Sequence, residues 1–416
     1  MGEPHLTRAG PVHATLPQYV APDGELCWGG WPLGRLVERS GQTPFFAYAR
    51  SLLRDRAVLL REALPPSVKL HYAMKANPMP ALVGFMAGLV DGIDVASAGE
   101  LKVALDAGAD PREISFAGPG KRECELRRAV AAGVLVNVES LREVQVLARV
   151  SADLAMPARV AVRVNPDFEL KGSGMKMGGG PKQFGIDVEQ VPDVLAAIAQ
   201  AGLGFEGFHL FAGSQNLRAE AICDAQRKSY ELALRLSAAA PAPVRFLNLG
   251  GGFGIPYFPG EQHLDLQPVA ENLAQVAARA ANELPQAALV IELGRYLVGE
   301  AGIYVTRIVD RKVSRGQVFL VTDGGLNHHL SASGNFGQVI RKNYPVTVGN
   351  RCGPGPREIA SVVGPLCTPL DLLADRMELP VAQVGDFVVV FQSGAYGASA
   401  SPQAFLGHPG CIEVLV

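Results

Sequence analysis

The chain carries no excess of charge of either sign: 38 lysines and arginines face 40 aspartates and glutamates, for a net charge of −2. Basic residues are scattered rather than run together. That speaks against a nucleic-acid groove or a membrane-surface patch, each of which needs a concentrated positive field. No stretch of about 18 apolar residues is present to span a bilayer, and the N-terminus shows no charged-then-apolar signal. The six cysteines, Cys27, Cys124, Cys223, Cys352, Cys367 and Cys411, form no CxxC pair. Neither a zinc site nor a disulfide scaffold is indicated. Internal repeats and low-complexity tracts are also missing. A soluble, reduced, cytoplasmic protein is expected.

What the chain does have is material for a large core. With 416 residues and 48% of them apolar, it suits a barrel of roughly 250 residues plus a smaller domain. After a Pro/Gly-rich opening, β-rich runs alternate with helical pattern. The runs are 68–76, 92–97, 114–118, 134–139, 159–165, 205–213, 246–251 and 289–295. Segments such as LKVALDAGAD and VPDVLAAIAQAG lie between them and close on glycine, as helix C-termini do. Eight β-then-α units predict a (β/α)8 barrel over residues 44–302, with a doubly wound open sheet as the rival. From residue 303 onward short β runs (IYVTRIV, QVFLVTD, PVTVG, IASVVG, DFVVVF) follow one another with little helical pattern. They predict an all-β domain, Greek-key or sandwich-like, made from 303–416 and the first 43 residues. The Gly-rich stretch KGSGMKMGGG (171–180) reads as a mobile loop.

A barrel places functional residues at the C-terminal ends of its strands. Polar and glycine signals fall there: Lys75, Asp94, Ser97, Lys121, Asn137, Glu139, Arg163, Asn165, His209 to Gln215, Gly250 to Gly254, and Glu292 to Arg295. Lys75 ends an apolar run. It is either a snorkelling strand-end lysine or a desolvated amine able to form a Schiff base. The glycines of LNLGGGFG let backbone N–H groups approach a phosphate, or serve only a tight turn. Ser214 stands ready to add a hydroxyl. Glu292 either pairs with Arg295 or faces a pyridinium nitrogen and keeps it protonated. A lysine, a phosphate turn and an acid on one rim are the parts that pyridoxal phosphate needs.

The segments YAMKAN, GIDVASAGEL, ISFAGPGK, FHLFAGSQ, LNLGGGFG, IELGRYLVGEAG, VVGPLCTPLD and SGAYGAS, in this order, resemble the fold-type III pyridoxal-phosphate decarboxylases. This is the diaminopimelate, ornithine and arginine decarboxylase family, and the resemblance spans nearly the whole chain. It implies an alanine-racemase-like barrel with a β domain from both chain ends, and a homodimer with active sites at its interface. It implies Lys75 as the Schiff-base lysine, Glu292 on the pyridine nitrogen and Phe211 stacked on the ring. Ser214, Gly251, Gly252, Gly294 and Arg295 would bind phosphate, and Tyr396 would reach the cofactor. Arg295 would also approach the substrate carboxylate, and Cys367 would protonate Cα from the second subunit.

Three departures bear on substrate. Phe211 stands where the family commonly has a second histidine. Thr368, followed by Pro369, stands where the diaminopimelate and ornithine enzymes have an acid; Asp371 is retained further on. After Asp323-Gly324-Gly325 the Arg-Pro segment that grips a distal carboxylate in diaminopimelate enzymes is replaced by LNHHLSASGNFGQ. A buried charge without its partner is costly. The expected substrate is therefore larger or less charged than free diaminopimelate, an amino-acid conjugate or a carrier-protein-tethered amino acid, with Thr368 and Asp371 beside it. The pattern is similar to the exosortase-associated pyridoxal-dependent decarboxylases. The alternatives are a diaminopimelate or ornithine/lysine decarboxylase proper, a racemase (disfavoured by Glu292, since racemases place arginine there) and a non-catalytic regulator. The adjacent His328 and His329 are expected to serve the loop rather than a metal.

Overall fold

The computed structural model describes residues 13, 16–169, 175–338 and 340–416. They divide into two compact units: those within 54–255 and 263–297, and those from 13 to 53 with 256–262 and those within 298–416.

The first unit is a closed parallel barrel. Its strands are β1 (Val68–Ala73), β2 (Gly92–Val95), β3 (Ile114–Phe116), β4 (Leu135–Val138), β5 (Arg159–Asn165), β6 (Gly204–Leu210), β7 (Phe246–Gly251) and β8 (Ala288–Leu293). Each pairs with the next, and β8 pairs back onto β1, with Glu292 opposite His71. The strands are buried along almost their whole length, as befits strands covered on both faces. Between them run helices with legible ends. Ser97 and Ser140 cap two of them by accepting the N–H of Glu100 and Glu143. Gly108 and Gly202 follow two others in the left-handed conformation that closes a helix without cost to a residue lacking Cβ. The closed ladder excludes the open doubly wound sheet. Residues 170–174, the start of the Gly-rich stretch, lie outside the described residues; Met175–Lys176 pairs antiparallel with Gly213–Ser214.

The second unit is mostly β. Its longer strands are β9 (Gly302–Ser314), β10 (Gln317–Thr322), β11 (Val346–Val348), β12 (Arg357–Val363), β13 (Leu372–Pro380), β14 (Phe387–Val390) and β15 (Ile412–Leu415). A further strand, Phe45–Tyr48, pairs antiparallel with β9 and parallel with β15. Both chain ends therefore build this sheet, and the chain up to Leu53 groups with it, ten residues beyond the boundary the sequence suggests. The opening residues have no core of their own: Leu26, Trp28, Leu33 and Leu36 pack with Ile303, Val305, Val389 and Phe391. Among the described residues no helix is long and apolar enough to cross a membrane.

Candidate active site

At the C-terminal rim of the barrel three strand ends converge on Glu292. This carboxylate, 4% exposed, lies near the end of β8. Its Oε1 accepts from Lys75 Nζ at 3.3 Å, and its Oε2 meets His209 Nε2 at 3.1 Å. Burial pushes the carboxyl up. The Lys75 charge, the His209 hydrogen bond and the charges of His209 and Arg163 outweigh it and hold Glu292 well below the usual carboxylate range. A buried carboxylate without these neighbours would take up a proton instead. Glu292 thus pairs with Lys75 and His209, whereas its sequence neighbour Arg295 was the simple alternative.

Lys75 sits in the 3-10 turn Met74–Ala76 directly after β1. Its side chain is 41% exposed, within reach of solvent and of a ligand, and the Phe211 ring lies 5.3 Å from Nζ. The turn is fixed by its neighbour across the rim: a Cβ on Gly294 would come within 3.0 Å of the Ala76 side chain and 3.1 Å of the Ala73 carbonyl.

The glycine turn after β7 bends back on itself. Gly250 and Gly252 both have φ of 74°, a conformation disfavoured for side chains. Gly251 lies so close to β8 that a Cβ would stand 2.1 Å from the Glu292 carbonyl. The segment after β6 is tied to this turn: Asn216 N–H donates to the Gly252 carbonyl and Gly254 N–H donates to the Asn216 carbonyl. Ser214 lies two residues before that tie. A dense glycine turn, a neighbouring hydroxyl, a buried anionic carboxylate and a reachable lysine amine form a donor set that fits pyridoxal phosphate. Gly251, Gly252, Ser214 and the Gly294–Arg295 turn would hold its phosphate, Glu292 its ring nitrogen and Lys75 its aldehyde carbon.

Around this centre the barrel keeps a polar interior that motif reading passed over. Arg163 donates to Glu139 at 3.1 Å and stacks 5.1 Å from the Phe184 ring. Glu139 also accepts the N–H groups of Gly118 and Gly185. Lys121 pairs with Glu143 at 3.0 Å, both almost fully buried. Burial lowers the Lys121 pKa despite both glutamates, and raises that of Glu143 despite the Lys121 charge. Asp94 accepts from Ser115 and meets His71, which makes it part of this interior lattice. Their sequence signal was position at strand ends, without the pairing.

The remaining expected residues lie in the β-rich unit. Cys367 is exposed. It stands on the loop between β12 and β13. Thr368 Oγ1 accepts the Leu370 N–H on that loop. Asp371, expected beside the substrate, stands at the end of the same loop, where its backbone N–H donates to the Thr368 carbonyl at 3.2 Å. It is buried, and its two oxygens accept the N–H groups of Leu326 at 2.7 Å and Leu366 at 2.8 Å. Burial raises its carboxyl above the ordinary range although both N–H groups oppose this. A Cβ on Gly325 or Gly364 would collide with it, so the Asp323–Gly325 turn and the Cys367 loop close around one carboxylate. Asp371 therefore positions the loop. Replacing it with alanine leaves two buried donors unmet, at about 1–3 kcal/mol each. The expected result is a lower urea midpoint and a kcat reduced by roughly tenfold, with Asp371→Asn intermediate in both.

Tyr396, with φ of 53°, is half-buried; its carbonyl accepts the Ser331 hydroxyl, and its ring lies 6.3 Å from that of Phe336. His328 bonds the Pro409 carbonyl and His329 the Ser393 hydroxyl. Burial pushes His329 down to about 3. Both imidazoles are thus engaged by the fold, and the described residues hold no group of three or more metal-ligating side chains.

The family model "Pyridoxal-dependent decarboxylase, pyridoxal binding domain" matches residues 50–299. The L-glutamyl-[BtrI acyl-carrier protein] decarboxylase of Niallia circulans is 37% identical over 380 residues, covering 90% of this chain and 89% of that protein. The 2-[(L-alanin-3-ylcarbamoyl)methyl]-2-hydroxybutanedioate decarboxylase of Staphylococcus aureus is 32% identical over 362 residues, covering 84% and 88%. Among solved structures, diaminopimelate decarboxylase from Helicobacter pylori complexed with L-lysine superposes with a TM-score of 0.81 at 26% identity, over 92% of this chain and 94% of that one.

Proposed function

The chain belongs to the pyridoxal-dependent decarboxylases, as an amino-acid decarboxylase that uses pyridoxal phosphate, and from that premise we propose that its substrate is an amino acid joined at its distal end to a carrier. Loss of the α-carboxylate requires the α-amine and α-carboxylate to be free, so any tether leaves from the far end of the amino acid. One observation carries the reading: the Cys367 loop offers no carboxylate to a distal ammonium. Thr368 is neutral, and Asp371 is buried with both oxygens on backbone N–H groups. A neutral distal group such as a thioester suits that surrounding, whereas an unpaired ammonium would lose several kcal/mol. The relatives named above act on a carrier-linked glutamyl group and on a conjugated alanine derivative.

The residues divide the work as follows. Pyridoxal phosphate, when bound, supplies the electron sink for the pair left at Cα as carbon dioxide departs. Lys75 would hold the cofactor through its amine, as the group that a substrate amine would displace. Glu292, oriented by His209, would keep the ring nitrogen protonated. His209 fixes the direction of that carboxylate. Phe211 would pack on the ring and, unlike histidine, neither titrates nor donates. Arg295 would orient the substrate carboxylate and Tyr396 would reach the cofactor. Cys367 of a second subunit returns a proton to Cα, so that one proton is consumed for each carbon dioxide released.

Thr368→Asp tests the reading. Restoring an acid on the loop is expected to raise kcat/KM for L-ornithine or meso-diaminopimelate by about tenfold, the scale of one charge-assisted contact. A wild-type protein that already prefers meso-diaminopimelate would overturn it.

A further inference from the structure

The segments that would hold the cofactor phosphate lie at or beyond the strand ends of the barrel. They are the stretch after β6 that contains Ser214, the glycine turn at the end of β7, and the Gly294–Arg295 turn after β8. Their spacing therefore depends on loop backbone and side chains. Phe253 packs edge-on against Tyr296, with ring centroids 5.6 Å apart and both rings buried, which joins the second segment to the third. The first and second are joined through Gln215 and Asn216.

Gln215 has a φ of 59°. A residue with a Cβ enters this left-handed region at a cost, whereas glycine enters it freely. Such strain persists where the surroundings over-determine it, and here a two-pronged contact does so. Gln215 Nε2 donates to the Ile255 carbonyl at 2.7 Å, and Gln215 Oε1 accepts the Ile255 N–H at 3.3 Å. A primary amide both donates and accepts, so it can meet both polar groups of a single residue. Ile255 is fully buried just past the glycine turn, where its backbone groups need partners. The next residue extends the grip through its backbone: Asn216 N–H donates to the Gly252 carbonyl, and the Asn216 carbonyl accepts the Gly254 N–H. The two segments approach so closely that a Cβ on Gly254 would stand 3.1 Å from the Asn216 nitrogen. From Gly252 to Ile255 the turn is thus held by Gln215 and Asn216, and the residue directly before them is Ser214.

We propose that Gln215 is a positioning residue for the cofactor phosphate: by clamping Ile255 it sets the separation between the Ser214 hydroxyl and the N–H groups of the glycine turn. A phosphate takes several charge-assisted hydrogen bonds at once, and these are short and directional. A small drift of one segment against the other loses them, which is why a binding site needs a supporting layer of fixed side chains. The inference rests on the assignment of this turn to the phosphate and adds the residue that sets its shape.

The test equilibrates the full-length, cofactor-loaded protein by dialysis against graded concentrations of pyridoxal phosphate. In parallel, after exchange, it uses 5-deoxypyridoxal, which has the same ring and aldehyde and no phosphate. Gln215→Gly accepts the left-handed backbone and removes the clamp. Gln215→Asn keeps an amide that tolerates this φ but is one methylene short of its reach to Ile255, so a folding defect in one variant leaves the other to decide. Each is expected to raise Kd for pyridoxal phosphate by about tenfold, the scale of one charge-assisted hydrogen bond put out of line. Kd for 5-deoxypyridoxal should stay within a factor of about two of wild type. Unchanged affinity for pyridoxal phosphate would overturn the proposal, and so would equal weakening of both ligands, which is what a purely structural clamp produces. A wild type that binds the two ligands equally would remove the phosphate from the glycine turn, overturning that assignment and the role of Gln215 with it.

Discussion

Replacing Lys75 with alanine is expected to yield a folded protein that retains no covalently bound cofactor and releases carbon dioxide more slowly by a factor on the order of 10³ or more, since a held reactant is lost from the site. Lys75 lies on a one-turn 3-10 segment after β1, with 41% of its side chain exposed, so its removal opens no core cavity and near-native stability is expected. Its loss also leaves Glu292 without the charge that lowers its carboxyl most. That carboxyl is held low by the Lys75 charge first and by His209 second, against its burial; in the variant its affinity for a proton should rise. The measurement is reduction with borohydride followed by peptide mapping. Wild type should give pyridoxyl-lysine at Lys75 and the variant none. Label recovered elsewhere on the variant's barrel would contradict the assignment.

Glu292→Gln should be nearly as damaging by a different route. The amide keeps the shape and a contact to His209 but cannot hold a proton on the ring nitrogen, and an electrostatic contact of this kind typically contributes about 10²–10³ in kcat. Cofactor attachment at Lys75 should survive, which separates this variant from Lys75→Ala. The pH profile follows from the sign of the shift. Glu292 is depressed below the usual carboxylate range, so its charge is fully present above that range and is lost only as pH falls through the lowered value. With Lys75 engaged by the cofactor, the protonated ring nitrogen would replace its charge beside Glu292 and His209 would keep its hydrogen bond, so the acid limb of kcat in the wild type should not report Glu292. Loss of cofactor from Glu292→Gln, or a kcat within a factor of about three of wild type, would remove the carboxylate from its role.

Strands that are buried on both faces appear in sequence as continuous apolar runs, and for that reason all eight barrel strands were legible, as were the glycines ending the helices at Gly108 and Gly202. The β-rich unit was less so. Strand β13 escaped because Arg376 adopts a φ of 45° within it and breaks the two-residue alternation by which strands are read. The strand Phe45–Tyr48 was expected with the barrel because its apolar run is visible while its partners, β9 and β15, lie more than 250 residues away. Pairing at that distance leaves no local mark.

The site divides in the same way. Lys75, Glu292 and the glycine turn were visible as polar and glycine punctuation at strand ends. Their mutual arrangement was not, because a side-chain contact between β6 and β8 has no sequence spacing that announces it. Hence His209 was noticed only by position, and Glu292 was weighed against Arg295 when its partners are Lys75 and His209. Asp371 shows a structural task that its sequence position does not announce. An acid near an expected substrate loop looks like a ligand group, whereas the structure uses it to join two turns around a buried carboxylate, with Gly325 and Gly364 clearing the space.

The most direct measurement is carbon dioxide release by the purified, cofactor-loaded protein from carboxyl-labelled substrates, comparing the γ-L-glutamyl thioester of phosphopantetheine with meso-diaminopimelate, L-ornithine and L-glutamate. Label release from the thioester at ~1–10³ s⁻¹, with kcat/KM far above that of any free amino acid, is the expected result. Efficient decarboxylation of free meso-diaminopimelate, with the thioester inert, would contradict a carrier-linked substrate.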